Sequence, residues 1–237
     1  MLDEDWTISW WEQVTDATPT TSWYGFYQTA GPGHSQLRFS KQNSTFIIAY
    51  FQHTGSSATN NRSDQMKYPY GLGSGNDRDV WRHFAIQCDI DGGNSGYVKF
   101  NWYVDGVIAS AFGTSSQINK TTTSGLSSGF NGVPFYLGAN YSGVVSANHE
   151  TGNFAEVSIH QAYLNEDNIV AMYNSGNAGL DLRENSGNYT HASDLVRYYR
   201  FTEGTGTTLI DATGNANATI VNGTWDAARH PTIGGTD

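Results

Sequence analysis

The segment from Trp81 to Ile108 constrains the fold more than any other part of the chain, because it has the pattern of a long β-hairpin. A run rich in strand-forming residues, 81–90, leads into a turn of Asp, Gly, Asn and Ser at 91–96. In the run that follows, large apolar side chains stand at every second position: Val98, Phe100, Trp102 and Val104. Alternation puts these four on one face of a strand, and we expect only this face to be buried.

Other segments extend the hairpin into a larger β-structure. The Asp105-Gly106 pair turns the chain, so that residues 107–112 can return as a third strand. Six more runs have strand-like composition: 5–14, 23–30, 35–40, 44–51, 134–139 and 153–163. In the first of them Trp6, Ile8 and Trp10 share a face, and we expect a bulge to put Trp11 on the other. Long antiparallel strands with one apolar face predict an all-β, two-sheet sandwich.

Two segments depart from the strand pattern. Residues 54–78 are polar and are interpreted as a long loop of the kind that often carries function. Residues 165–176 predict one short helix, with Asn165 as its N-cap and Gly176 as its end. We expect this helix to close one end of the sandwich.

The C-terminal part, residues 194–225, again has the pattern of strands, with a turn at 211–215. It is too short to bury a core of its own. We therefore expect one jelly-roll sandwich in residues 1–176, and an extension, residues 177–237, that adds strands to this sandwich or docks on it.

Composition excludes several classes of partner. The net charge is −10 over 237 residues, with 12 Lys and Arg that form no basic cluster, so nucleic acid is not an expected partner. No apolar run approaches the ~20 residues of a membrane-spanning helix. The single cysteine, Cys88, excludes an internal disulfide and is expected to be a small buried residue. The acidic N-terminus is unlike a signal peptide, so we expect either release by another route, such as lysis with a virus particle, or a shortened N-terminus.

Several motifs then line up with one family, in the right order over residues 5–176. DWTISWW, DVWRHFAIQCD, YVDGVI, PFYLGAN and GNFAEVSIHQAYLNEDNIVAMYNSG resemble successive strands and the closing helix of laminin-G-like domains. The resemblance implies a concanavalin A-like jelly roll. Ala155 is a departure, since many relatives carry Asp there, and any role of that Asp is absent here.

The C-terminal part carries a second resemblance. YNSGNAGLDL and LVRYYRFTEGTGTTLIDATGNANATIVNG are similar to a segment found after such jelly rolls in virion proteins of marine tailed phages. LVRYYRFTEGTGTT also resembles the strand that usually opens a laminin-G-like domain. Because the main jelly roll begins at its second customary strand, we expect this segment to supply the opening strand, as a circular permutation would.

No catalytic residues are predicted. The resemblance implies that an enzyme of this fold would carry Glu-X-Asp-X-X-Glu or a close variant on one strand, and no such window occurs. Glu150 and Glu156 would lie about 20 Å apart on a strand, whereas a glycosidase pair needs about 5–9.5 Å. Asp89 and Asp91 would be closer, at about 7 Å, but at a hairpin turn with no groove beside them.

Two kinds of binding site remain as hypotheses. For calcium, the cofactor to which the resemblance points, carboxylate and amide oxygens occur in two turns: Asp89, Asp91 and Asn94 in one, and Asp77 and Asp79 in the other. The alternative is ordinary turn chemistry. For a glycan, loop aromatics and nearby polar groups are the candidates: Tyr68, Tyr70, Asn140, Tyr141 and His149. The alternative is that these rings fold back over the ends of the sandwich.

The function expected first is a non-enzymatic virion component of a tailed phage, on the virion surface as a decoration, spike or fibre module. Its expected partners are other virion proteins and further copies of itself, and its outward loops would touch host-surface polysaccharide. The first alternative is a secreted carbohydrate-binding or adhesion module. The second is a glycan-active hydrolase or lyase of the same fold.

Overall fold

A computed structural model describes residues 4–14, 23–29, 36–42, 46–54, 61–69, 79–89, 97–108, 117–119, 135–138 and 152–226. In these ranges the chain forms fourteen strands and one α-helix. The strands fall into a seven-stranded sheet, a five-stranded sheet and a two-stranded ribbon.

The seven-stranded sheet has the order β12-β11-β1-β6-β7-β8, with β9 also paired to β7, and every pairing is antiparallel. Its strands are β1 (Trp6–Val14), β6 (Trp81–Asp89), β7 (Tyr97–Val104), β8 (Val107–Ile108), β9 (Gln117–Asn119), β11 (Gly152–His160) and β12 (Leu195–Tyr199). Strand β12 comes from the C-terminal part of the chain and pairs with β11 at one edge of this sheet.

The five-stranded sheet has the order β10-β2-β3-β4-β5, again antiparallel. Its strands are β2 (Trp23–Thr29), β3 (Gln36–Gln42), β4 (Phe46–Thr54), β5 (Asn61–Pro69) and β10 (Phe135–Leu137). The ribbon pairs β13 (Thr208–Leu209) with β14 (Ala218–Thr219). The predicted fold class, an all-β antiparallel sandwich with one short helix in its described part, is confirmed.

The inner face of the seven-stranded sheet is built from the alternation seen in the sequence. Cross-strand register places Ile8, Ile86 and Trp102 in one row, and Trp6, Cys88 and Phe100 in the next. The buried apolar residues of this face are Trp6, Ile8, Trp10, Phe84, Ile86, Cys88, Phe100, Trp102, Val157 and Ile159. The rings of Trp10 and Trp102 meet edge to face with centroids 5.8 Å apart. This arrangement is favourable for aromatic pairs.

The predicted bulge exists, but it lies in the neighbouring strand. Strand β1 pairs with β6 without interruption, so simple alternation puts Trp11 on the outer face. Against β11 the register shifts between Ser9 and Trp11, where two residues of β11 oppose one of β1. One of those two, Glu156, has a φ of 50°. A positive φ at one residue of a two-against-one pairing is typical of a β-bulge.

The expectation that only one face of the sheet is buried is wrong. The outer face packs against residues 162–198 in a second apolar cluster, which comprises Ala85, Tyr103, Leu164, Ile169, Met172, Leu182, Tyr189, Leu195 and Tyr198. Outward-facing Ala85 and Tyr103 are 0% and 3% exposed as a result. The sheet is therefore covered on both faces, and we call the cover on its outer face, residues 162–198, the C-terminal cover.

The helix α1 (Glu166–Tyr173) belongs to this cover, so it packs on a sheet face and does not close an end of the sandwich. Asn165 caps it as predicted, because its side chain accepts a hydrogen bond from Asn168 N at 3.0 Å. The helix ends at Asn174, in the left-handed conformation, before the predicted Gly176. Asn tolerates this conformation better than most residues, which explains the earlier end.

The interpretation of residues 54–78 as one long loop is also wrong, since β5 pairs with β4 along its whole length. Its polar sequence suits a strand at the edge of a sheet, where backbone pairing with one neighbour needs no apolar pattern. Strand β8 is described only for Val107–Ile108, so the rest of the predicted strand 107–112 lies outside the described residues. In the C-terminal part, β12 and the turn after Asp211 agree with the sequence pattern.

Candidate functional site

Three connections between the two sheets meet at one end of the sandwich. In the seven-stranded sheet, antiparallel register puts the end of β1 beside the beginnings of β6 and β11. In the five-stranded sheet, it puts the beginning of β2 at the same end as the ends of β5 and β10. The chain joins β1 to β2, β5 to β6 and β10 to β11 at this end. We call it the crossover end, marked by Val14, Trp23, Pro69, Trp81, Leu137 and Gly152.

In the sequence, the glycan candidates lie on or next to strands that end or begin at the crossover end. Tyr68 is the penultimate residue of β5, and Tyr70 directly follows that strand. Asn140, Tyr141 and His149 come from the connection between β10 and β11; they and Tyr70 lie outside the described residues. Strands β5 and β10 are the two edges of the five-stranded sheet, about 19 Å apart at the usual strand spacing. The strands that precede the candidates in the sequence therefore reach the crossover end at the two opposite edges of this sheet.

The side chain of Gln13 links two of the three connections. Its Nε2 donates to the backbone carbonyl of Asp79 at 2.7 Å, where the connection from β5 reaches β6. Its Oε1 accepts from Nδ2 of Asn153 at 2.8 Å, where the connection from β10 has just entered β11. Gln13 is 8% exposed. A buried amide whose nitrogen and oxygen are both hydrogen-bonded holds its position well.

Asp105 stabilises a hairpin turn at the same end. Its carboxylate accepts from the backbone N–H of His83 at 2.9 Å and pairs with Arg82 at 2.5 Å. Asp105 and Gly106 both have positive φ, 51° and 75°, as the predicted two-residue Asp-Gly turn requires. A Cβ on Gly106 would lie 3.1 Å from the ring of Tyr173, so the helix restricts this turn as well.

Asp79 and Asp89, one from each of the two predicted calcium sets, lie at opposite ends of β6. Asp79 precedes β6 and Asp89 ends it, so the two are about 30 Å apart along an extended strand. Asp77, Asp91 and Asn94 lie outside the described residues. Across the described ranges, no three His, Cys, Asp or Glu side chains converge as metal ligands would. Lys99 stands directly opposite Asp89 and gives that carboxylate a cationic neighbour. Two separate calcium sites remain as hypotheses.

A serine–histidine pair that the sequence did not suggest lies under the C-terminal cover. Ser9 Oγ is 3.4 Å from Nε2 of His83, and the two residues are 2% and 1% exposed. Burial lowers the pKa of His83 to about 3, so its ring is neutral. Both residues line a cavity of about 10 Å³, which is room for roughly one water molecule and far too little for a sugar. This pair is therefore structural.

Buried carboxylates in the described ranges do not form a glycosidase pair either. Glu12 lies on the inner face and accepts from the indole of Trp10 at 3.0 Å. Glu156 lies on the outer face, where the hydroxyl of Tyr198 donates to it and Arg200 approaches to 3.4 Å. Groups on opposite faces of a sheet cannot flank one glycosidic bond. Glu150 is outside the described residues, so the spacing argument against Glu150 and Glu156 stays a prediction.

Asp211 shows how the C-terminal part is fastened to the sheet. Its carboxylate accepts from the backbone N–H groups of Tyr198, Thr213 and Ala216, each at 3.0 Å. Burial alone would raise the pKa of Asp211, but these hydrogen bonds outweigh it and the pKa is lowered. Asp211 therefore has its acceptor sites filled by the protein itself and serves the turn, not a ligand.

Ala155, the departure from the family pattern, is fully buried against Trp11 and Ala178. A carboxylate at this position would be desolvated next to an indole, which is costly. Ala155 therefore contributes packing at this position.

Comparison with known proteins supports the fold and no more. No protein-family model matches the chain, and no curated protein matches it in sequence. Its structure is similar to a protein of Bacteroides ovatus described as carbohydrate-binding, with a TM-score of 0.50 and 16% identity over 92% of this chain. The chain spans 54% of that protein, about half of its length. This likeness indicates a shared β-sandwich fold.

Two further solved structures have a weaker likeness to the chain. The CBM40 domain of a Ruminococcus gnavus IT-sialidase, bound to α2,6-sialyllactose, has a TM-score of 0.48 and 13% identity over 72% of this chain and 83% of its own. A SAP-like pentraxin of Limulus polyphemus has a TM-score of 0.46 and 10% identity over 92% of this chain and 83% of its own. In the described part of the chain, no helix has the length and apolar character to cross a membrane.

Proposed function

We propose that the protein is a non-enzymatic carbohydrate-binding module, and that it binds glycans at the crossover end. The observation that supports the proposal is topological: β5 and β10 end at the crossover end, and Tyr68, Tyr70, Asn140, Tyr141 and His149 belong to β5 or to the segments that follow β5 and β10 in the sequence. Loops on a rigid scaffold are the usual place for binding residues.

The chemistry of these residues suits a sugar. Tyrosine rings offer flat apolar surfaces with a polar hydroxyl at the tip, and Asn and His add hydrogen-bonding groups. Sugars present the complementary surface, with C–H faces and hydroxyl rims. The net charge of −10 favours neutral polysaccharides over anionic ones, because like charges repel at low ionic strength.

The scaffold supports this function by its stiffness. Buried tryptophans at Trp6, Trp10 and Trp102 fill the inner face, and the C-terminal cover seals the outer face. A rigid framework lowers the entropic cost of binding for the side chains that it holds in place.

The test is a binding titration with laminarin as a neutral glucan and alginate as an anionic one. Tyr68→Ala, Tyr70→Ala and Tyr141→Ala should each weaken laminarin binding by about tenfold, as expected for loss of a stacking contact of ~1.4 kcal/mol. Tyr97→Ala, at the first residue of β7 and so at the opposite end of the sandwich, is the matched control and should bind like wild type. Wild-type protein that binds neither polysaccharide, or tyrosine variants that bind normally, would overturn the proposal for these ligands and this surface.

We further propose that this module belongs to the surface of a tailed-phage virion, beside other virion proteins and further copies of itself. The support is the sequence resemblance of residues 173–223 to a segment of phage virion proteins. Mass spectrometry of purified particles tests it, since a virion protein is present in fixed stoichiometry with the capsid. Its absence from particles would favour the secreted carbohydrate-binding or adhesion module. Release of reducing sugar would favour an enzyme.

Calcium stays a proposal for the β6–β7 turn, where Asp89, Asp91 and Asn94 would supply oxygen ligands. If calcium binds there, calcium should raise the melting temperature of wild type, and Asp91→Asn should abolish that rise. Asp79→Asn, at the other end of β6, tests the second candidate set in the same assay. If neither calcium nor EDTA changes the melting temperature, the calcium proposal is wrong.

A further inference from the structure

The side chain of Gln13 makes two described hydrogen bonds, one at Nε2 and one at Oε1, and each reaches a distant part of the chain. Its donor bond goes to Asp79, which is 66 residues away, and its acceptor bond comes from Asn153, which is 140 residues away. Both partners stand where a crossing connection reaches the seven-stranded sheet. One side chain on β1 thus joins the ends of two connections that are unrelated in sequence.

The geometry points to Gln13 as a positioning residue that couples these two connections and so sets the geometry of the crossover end. The inference rests on the proposed function, since the same two connections carry Tyr70 and Tyr141. Gln13 would touch no sugar itself. It would hold the two sides of the binding surface at a fixed separation, through Asp79 on one side and Asn153 on the other.

Bond lengths and burial support a fixed link. The two contacts, at 2.7 and 2.8 Å, are at the short end of the range for amide hydrogen bonds. At 8% exposure, water competes poorly for either of them. Removing the amide would leave the carbonyl of Asp79 and the Nδ2 of Asn153 without the bonds they make in the native structure.

Three substitutions separate the two links. Gln13→Glu removes the donor to Asp79 and keeps an acceptor for Asn153. Asn153→Ala removes only the second link, and Gln13→Leu removes both. We expect the dissociation constant for laminarin to rise about threefold in each single-link variant and about tenfold in Gln13→Leu. Because the links share Gln13, adding Asn153→Ala to Gln13→Leu should have no further effect.

Gln87 supplies the matched control. It is another buried amide on the outer face of the same sheet, where it donates to the carbonyl of Leu164 at the opposite end of β6. Gln87→Leu should lower the melting temperature and leave the dissociation constant unchanged. A purely structural role for Gln13 predicts instead that both leucine variants lose stability and that neither changes affinity beyond that loss.

Hydrogen exchange keeps the inference testable if laminarin does not bind. Gln13→Leu should accelerate amide exchange at residues 79–81 and at 152–154 together, and Gln87→Leu should not. Failure of wild type to bind laminarin or alginate overturns the proposed function for those probes, and exchange then decides the coupling by itself. Unchanged exchange at either of the two segments in Gln13→Leu, or unchanged affinity in a wild type that binds, overturns the inference.

Discussion

Acid should destabilise this protein through two histidines that are buried without charge. His83 and His160 are 1% and 0% exposed, and each has an Nδ1 atom with no hydrogen-bond partner. Burial lowers the pKa of His83 to about 3, and burial together with the nearby His191 lowers the pKa of His160 to about 3. In the unfolded chain both pKa values return to about 6.5.

The direction of the effect follows from proton binding. Below pH 6.5 the unfolded state binds protons that the folded state does not bind. The stability that the two neutral histidines contribute is therefore fully present above pH 6.5 and is lost as the pH falls toward 3. Each histidine costs about 1.4 kcal/mol per pH unit in this window. At pH 5 the two together remove about 4 kcal/mol, out of a typical total of about 5–15 kcal/mol.

The groups next to the two histidines make this acid-induced loss of stability an upper value. Glu156 lines the same cavity as His83, and a carboxylate there would offset part of the cost of charging the ring. His160 has the hydroxyl of Tyr189 at 2.9 Å, and this phenol carries no charge in acid because its pKa lies far above this pH range. The loss at His160 should therefore be the more complete of the two.

The assay is urea unfolding at pH 7.5, 6.0 and 5.0. His83→Phe keeps an aromatic ring against Trp11, whose ring centroid lies 5.3 Å away, and should remove about half of the acid slope. His160→Gln should remove the other half. His191→Gln is the control: it removes only the smaller of the two causes that lower the pKa of His160, so it should keep most of the slope. The reasoning is refuted if wild type is equally stable at pH 7.5 and 5.0. It is also refuted if the double variant His83→Phe/His160→Gln loses as much stability in acid as wild type does.

Three further predictions concern stability at neutral pH. Trp102→Ala should cost about 3–5 kcal/mol in urea unfolding, because it removes a fully buried indole from the inner face. Gly106→Ala should lower the melting temperature, at a cost of about 1–2 kcal/mol, since φ is 75° and the new Cβ would press on the ring of Tyr173. Tyr198→Phe should cost about 1–3 kcal/mol by leaving buried Glu156 and the Leu180 carbonyl short of a donor. Tyr199→Phe, whose hydroxyl reaches only an exposed carbonyl, should cost less in the same measurement.

Local patterns in the sequence were enough to predict the inner face. Phe100 and Trp102 alternate on β7, and their burial follows from that alternation. Asn165 caps α1, and Asp105-Gly106 forms its turn, because both depend on residues close in sequence. Strand β5 was missed for the complementary reason. Its strand character comes from pairing with β4, which no pattern within residues 61–69 reveals.

The outer face could not be predicted by the same means. Thr7, Ser9 and Gln87 are polar, so alternation assigns them to solvent, and yet they are 0–2% exposed. Their burial depends on partners far along the chain, such as the carbonyls of Ala162 and Leu164. Gln13 was missed for the same reason, since one of its partners is the backbone carbonyl of Asp79. Every residue has such a carbonyl, so the sequence does not indicate which one a side chain will bond.

These long-range contacts bear on where the folded unit ends. Thr7 and Gln87 hydrogen-bond to residues before 176, but the cover over Ser9 and His83 is completed by Leu182 and Tyr198, which come after it. A sheet with buried polar side chains on its outer face needs that cover, because each group left without a hydrogen bond in an apolar contact costs free energy. We therefore propose that the extension, residues 177–237, is required by the sandwich through its residues up to about 200. On this view, the residues at the crossover end can be matched to a ligand without affecting the cover. The C-terminal cover must stay in place for the crossover end to have a fixed shape.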